Sequence, residues 1–249
     1  LSEVSCRGPM RLLMGRTIRK IAGTNSSRIR LIVTSLRSGG DAIDVGSSSA
    51  NITLKGKNKL FSESKSALHV SDGNVTIDGD GSLEAEIGGD YNNNAKIGSH
   101  EDEDMSGSIH ITGDATVTTK DDRDDNYLGD GAGIGSGEYG SMSGSITIDE
   151  NANVDAFSQE DGAGIGSGYG GGMSGNISIS GNAQVTAGSG WDGAGIGTGD
   201  LLLQARFLIE CADDADAVQP LAHDVVLDVD VLVGGLVQGP DALADGPDD

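Results

Sequence analysis

The sequence predicts an all-β chain wound as a right-handed parallel β-helix of about five to six coils. Three observations carry that expectation. A Gly-rich phrase, DGAGIG, recurs with its alanines at Ala132, Ala163 and Ala194, a step of 31 residues each time. A fixed step of roughly 20–50 residues is the mark of stacked repeats. Beside the phrase runs a strand–turn–strand core of alternating apolar and polar residues, legible five times between Asn51 and Gly188. The composition agrees: 41 glycines and only 3% aromatic residues suit a narrow core of Ile, Val, Leu and Ala, because large aromatic side chains dominate wider ones.

Taken in order, residues 1–40 hold eight of the sixteen Lys and Arg residues and a single acid, Glu3, with no visible repeat. They read as an irregular basic segment whose one candidate element is a short helix around Met10 to Ile21. The repeat domain is assigned to residues 41–200. Its cores are NITLKGKNKLFSE from Asn51, NVTIDGDGSLEAE from Asn74, SIHITGDATVTTK from Ser108, SITIDENANVDAF from Ser145 and NISISGNAQVTAG from Asn176. In the fourth copy Ile146, Ile148, Ala152, Val154 and Ala156 share one parity and are expected to face inward. Asp149-Glu150-Asn151 and Ser180-Gly181-Asn182 supply the turn chemistry between the two strands.

A third strand is expected at Ala95-Lys-Ile97-Gly, Ala132-Gly-Ile134-Gly, Ala163-Gly-Ile165-Gly and Ala194-Gly-Ile196-Gly, with earlier copies at Ala42 to Val45 and Ala67 to Val70. The alanines are spaced by 25, 28, 37, 31 and 31 residues, so length varies in outer loops while the core is kept. Three short strands per turn, each over its equivalent, make a parallel β-helix. In-register stacking places Ile134 over Ile165 and Ile196, Ile146 over Ile177, and Val154 over Val185. The right-handed preference of parallel crossovers sets the expected hand.

Beyond Asp200 the phrase breaks off. Residues 201–249 contain eleven acids and one base, Arg206. Val225 to Val233 is a conceivable capping strand, and the final PDALADGPDD reads as a disordered tail. The abrupt change at both ends points to a shifted reading frame or a truncated gene, which sequencing the locus would test.

Bulk properties exclude several function classes. A formal charge of −23 and a pI near 4.2 oppose nucleic acid and anionic membrane, which require clustered Lys and Arg. Cys6 and Cys211 lie outside the repeats, so no disulfide framework is expected. No apolar run approaches the length of a membrane span, and the N-terminal residues lack the apolar region of a secretion signal.

The pairing of GAGIG with the pattern (N/S)-I-x-I-x-G-x-A-x-V-x-A, together with ALHVSDGNVTIDGDGSLEAE from Ala67, resembles the carbohydrate-binding β-helix domains of surface and secreted proteins of Gram-positive gut and cellulolytic bacteria. The resemblance covers about residues 41–200. It implies a right-handed, pectate-lyase-like β-helix that binds polysaccharide, often with calcium, and lacks lyase activity. It also implies an extracellular or cell-surface location.

Candidate chemistry lies in the loops. Lyases on such a fold use aspartates for calcium and an Arg or Lys base; here the one arginine of the repeats is Arg123, in the acidic loop KDDRDDN. Lys55, Lys57 and Lys59 surround a turn and read as a solvated edge. No nucleophile elbow, zinc spacing or phosphate loop stands in its proper context. GAGIGSG looks like a dinucleotide fingerprint, but it recurs and precedes a strand where that fingerprint requires a helix. Asp102 and Asp104 (with Glu101 and Glu103), and Asp121, Asp122, Asp124 and Asp125, offer hard oxygens suited to Ca²⁺; the alternative is a solvated acidic surface. Tyr139 and Tyr169 fall in corresponding loops one coil apart, and Trp191 in a third. Their rings suit stacking on sugar; the alternative is packing over glycines. Met105, Met142 and Met173 read as coil-edge packing. His69 and His110 stand singly in strands without metal spacing.

The expected function is a non-catalytic polysaccharide-binding module, a monomer whose partner is a polysaccharide or cell-wall glycan. The rival readings are an adhesin stalk with no ligand and a degenerate polysaccharide lyase.

Overall fold

The computed structural model describes residues 27–32, 35–89, 91–119, 129–199 and 207–209. Every regular element among them is a strand. The first coil comprises β1 (Ser27–Ile32), β2 (Ser35–Ser38) and β3 (Ile43–Gly46), and the second β4 (Ser49–Lys55), β5 (Lys57–Ser62) and β6 (Leu68–Val70). The third holds β7 (Asn74–Gly79), β8 (Ser82–Ile87) and β9 (Ile97–Gly98), and the fourth β10 (Ser108–Ile111), β11 (Thr116–Thr118) and β12 (Ile134–Gly135). β13 (Ser145–Ile148), β14 (Asn153–Ser158) and β15 (Ile165–Gly166) form the fifth; β16 (Asn176–Ile179), β17 (Gln184–Ser189) and β18 (Ile196–Gly197) the sixth; β19 (Phe207–Ile209) opens a seventh.

Each strand pairs in parallel with its counterpart one coil away, giving one sheet of seven strands and two of six. The chain is a parallel β-helix. The alternation read in the sequence is the packing: Ile146, Ile148, Ala152, Val154 and Ala156 are all fully buried. Ile134 pairs with Ile165 and that with Ile196, Ile146 with Ile177, and Val154 with Val185. These columns run the length of one continuous core, at about 25 cal/mol for each Å² of apolar surface removed from water. Met105, Met142 and Met173 bridge one another in a further column at the coil edge.

The winding extends beyond the expected 41–200 boundaries. β1 pairs with β4 and β2 with β5, while β19 continues from β16. Arginines at 28, 30 and 37 are three of the eight basic residues of the early segment, yet Ile29, Leu31 and Leu36 alternate with them and are buried. The helix considered at Met10 to Ile21, the cap at Val225 to Val233 and the acidic tail lie outside the described residues. No helix among the described residues is long and apolar enough to cross a membrane.

Glycine is needed where coils touch. Gly135 has φ 143° and a side chain there would place Cβ 1.7 Å from the Gly166 carbonyl oxygen. No other residue fits that approach.

Candidate functional site

After the AxIG strands that end at Gly98, Gly135 and Gly166 the chain makes a tight turn, and these turns stack. They span 100–103, 137–140 and 168–171, closed by Glu103, Gly140 and Gly171 amides donating to the carbonyls of His100, Gly137 and Gly168. A buried serine anchors each one. The hydroxyls of Ser99, Ser136 and Ser167 donate to the carbonyls of Glu103, Gly140 and Gly171 at 2.6, 2.6 and 2.8 Å. Each hydroxyl also accepts the amide of the next coil's glycine: Gly137, Gly168 and Gly199. Neighbouring turns are thereby locked to one another.

The third turn position takes left-handed backbone, at Asp102 (φ 58°), Tyr139 (φ 58°) and Gly170 (φ 68°). Tyr139 therefore corresponds to Gly170, and Tyr169 to Glu138. This offset lets the two tyrosines face one another, with ring centroids 6.2 Å apart and planes inclined at 60°. Both are exposed, by 55% and 39%. The Tyr139 ring also covers Gly170, where a Cβ would come within 2.6 Å of it. Sugar stacking and packing over glycine are thus compatible at this ring.

An acidic column borders the pair. The Tyr169 amide donates to the Asp130 carbonyl. The Asp130 carboxylate accepts the Asp161 amide at 3.1 Å, and the Asp161 carboxylate accepts the Asp192 amide at 3.0 Å. Trp191, next to Asp192, is 66% exposed, so the column leads from the tyrosine turns to the third expected sugar-contact residue. Burial pushes the carboxyl groups of Asp130 and Glu138 up.

From the tyrosine turns the chain runs into an open groove of about 800 Å³ lined by Ser106, Ser143 and Ser174 and by Gly107, Gly144 and Gly175. Its floor is the serine and glycine of the repeated Met-Ser-Gly phrase, whose methionines are buried in the core. Small side chains keep it open, and its hydroxyls line it along the coil axis.

The expected acidic set is only partly described. Asp102 is exposed, and Asp104 accepts the Ser141 amide at 2.8 Å. These two supply fewer oxygens than the six to eight that calcium takes; Asp121, Asp122, Asp124 and Asp125 lie outside the described residues.

Neither strand histidine is solitary. His110 Nε2 lies 2.9 Å from Asp149 Oδ2 in the next coil. His69 stacks on His100, with ring centroids 3.8 Å apart and planes 8° from parallel. His69 Nδ1 lies 2.9 Å from Asp44 Oδ1, and its Nε2 is 2.8 Å from Glu103 Oε2. His100 Nε2 lies 2.8 Å from Asp41 Oδ1, and its Nδ1 is 3.4 Å from Glu103 Oε2. Burial works to lower the His69 imidazole, but its hydrogen bonds to the Glu103 and Asp44 carboxylates prevail and raise it. The same hydrogen bond from His69, against the opposing effect of burial, holds the Glu103 carboxyl at about 2. Asp41, His69 and His100 form the one group of three or more possible metal ligands found among the described residues.

A protein-family model described as a beta helix repeat matches residues 109–138, 146–169 and 177–200. The chain carries beta helix repeats. No curated protein and no solved structure matches it. The matched repeats contain Tyr169 and the Ile columns, whereas the whole histidine cluster precedes them.

Proposed function

We propose that this β-helix is a non-catalytic polysaccharide-binding module acting outside the cell. The observation that carries the proposal is the exposed Tyr139–Tyr169 pair, held on serine-locked turns beside the Asp130–Asp161–Asp192 column. Aromatic faces stack on the C–H faces of sugar rings, and aligned carboxylates accept hydrogen bonds from sugar hydroxyls. The hydroxyl-lined groove extends the same polar surface along the axis, as an extended glycan requires. The column would repel uronates, so a neutral, hydroxyl-rich glycan is the favoured ligand. Acidic glycans would be retained only with a bridging cation.

Retention of the full-length chain on a panel of neutral and acidic polysaccharides, with calcium and with chelator, tests this. Selective retention that falls on replacing Tyr139 and Tyr169 supports it. A folded chain that no glycan retains, or whose retention ignores both tyrosines, returns the face to a purely structural role. Release of unsaturated uronides from pectate would instead make the chain a lyase.

A further inference from the structure

The histidine cluster occupies positions that later coils leave without side chains. His69 pairs in register with Gly98, and that column continues through Gly135, Gly166 and Gly197. His100 stands one coil below Gly137 and Glu103 one coil below Gly140; a Cβ on either glycine would fall 2.3 and 2.2 Å from their respective carbonyl oxygens. Glycine is thus sufficient for winding at these three places. Here they carry two imidazoles and a carboxylate, which converge with Asp41 and Asp44 of an earlier coil.

We propose that Asp41, His69 and His100 bind a single divalent transition ion of the zinc class, with a carboxylate, Asp44 or Glu103, on the far nitrogen of each ring. The three donor atoms lie within 4.8 Å of one another. Small side-chain movements bring such a set to the roughly 2.0–2.2 Å bond lengths of zinc with nitrogen and oxygen ligands. Mixed imidazole and carboxylate donors select this class over calcium, which takes oxygen alone. A carboxylate on the non-ligating nitrogen is the usual support of a metal-bound histidine, fixing tautomer and orientation. The parallel rings do not aim their lone pairs at one point, so binding tilts them and opens the stack. The ligands come from three consecutive coils, and the ion would join them.

Titration of the chelator-stripped full-length chain with Co²⁺ and Zn²⁺ tests the proposal. The expected result is one Zn²⁺ per chain, and Co²⁺ absorption bands of nitrogen ligation that Zn²⁺ abolishes. His69→Gln, His100→Gln and Asp41→Asn each weaken binding about tenfold or more, and Glu103→Gln about 10–100-fold. His110→Gln changes nothing. Circular dichroism establishes that each variant retains its strand signal. A folded parent chain that takes up no stoichiometric ion overturns the proposal. So does an affinity indifferent to both His69→Gln and His100→Gln, which would move the ion to residues such as Cys6, Cys211 or His223.

Discussion

Tyr139 and Gly170 occupy the same place in consecutive turns, both in left-handed backbone, and the ring of the first lies over the second. One coil thus solves the turn with the residue that takes this conformation freely, and its neighbour with one that does not. Left-handed backbone costs an ordinary residue roughly 1–2 kcal/mol. Turn geometry alone would place glycine at both.

Tyr139→Gly should therefore separate folding from binding. Relief of backbone strain offsets the loss of a half-exposed ring, so thermal unfolding should show stability within about 1 kcal/mol of the parent. Glycan retention should fall sharply in the same variant. A large loss of stability with unchanged retention would make Tyr139 a packing residue.

Ile165 tests the core. It is fully buried between Ile134 and Ile196 in a middle coil. Ile165→Ala leaves a cavity that neighbouring coils cannot close without losing their ladders, and should cost about 2–5 kcal/mol in denaturant unfolding. Thr147, also on a strand but facing outward, should tolerate alanine within about 0.5 kcal/mol.

The columns were legible because a solenoid converts sequence period directly into spatial register. Ile134, Ile165 and Ile196 carry the same phrase and meet for that reason. The first coil was hidden by charge: in SRIRLI the arginines dominate composition, while Ile29 and Leu31 keep the buried parity. The histidine cluster was hidden by distance, since Asp41, His69 and His100 belong to different coils whose lengths differ. Its available signal was positional. His69 replaces the glycine of the AxIG phrase, but only an alignment of the irregular early coils shows that substitution. The offset of Tyr139 from Tyr169 was likewise invisible without the turn boundaries.

Gly135→Ala should abolish cooperative folding of the repeat. The added Cβ meets the Gly166 carbonyl oxygen, a backbone atom held in the adjacent ladder, and the φ of 143° is itself hostile to alanine. Neither coil can move without breaking the Ile134–Ile165 stack. Loss of the strand signal by circular dichroism, or collapse of the unfolding transition, is the expected readout. By contrast Gly39, where an added Cβ meets nothing within 4 Å, should accept alanine without loss of the transition.

Glu138 gives a pH dependence with a defined sign. Glu138 is 6% exposed, and burial, reinforced by the charges of Asp130 and Glu101, raises its carboxyl above the ordinary value of 4.5. Between that value and the raised one the folded chain binds more protons than the unfolded chain, so stability falls as pH rises through the interval. Above it the full cost of a buried carboxylate remains. The Tyr139 hydroxyl hydrogen-bonds the Glu138 carboxylate; Glu138→Gln keeps an acceptor for it and removes the charge. The variant should therefore unfold at higher temperature than the parent at neutral pH, and the difference should shrink as pH drops below 4.5. A difference that stays constant with pH would mean that shape at this position, and not ionisation, sets the cost.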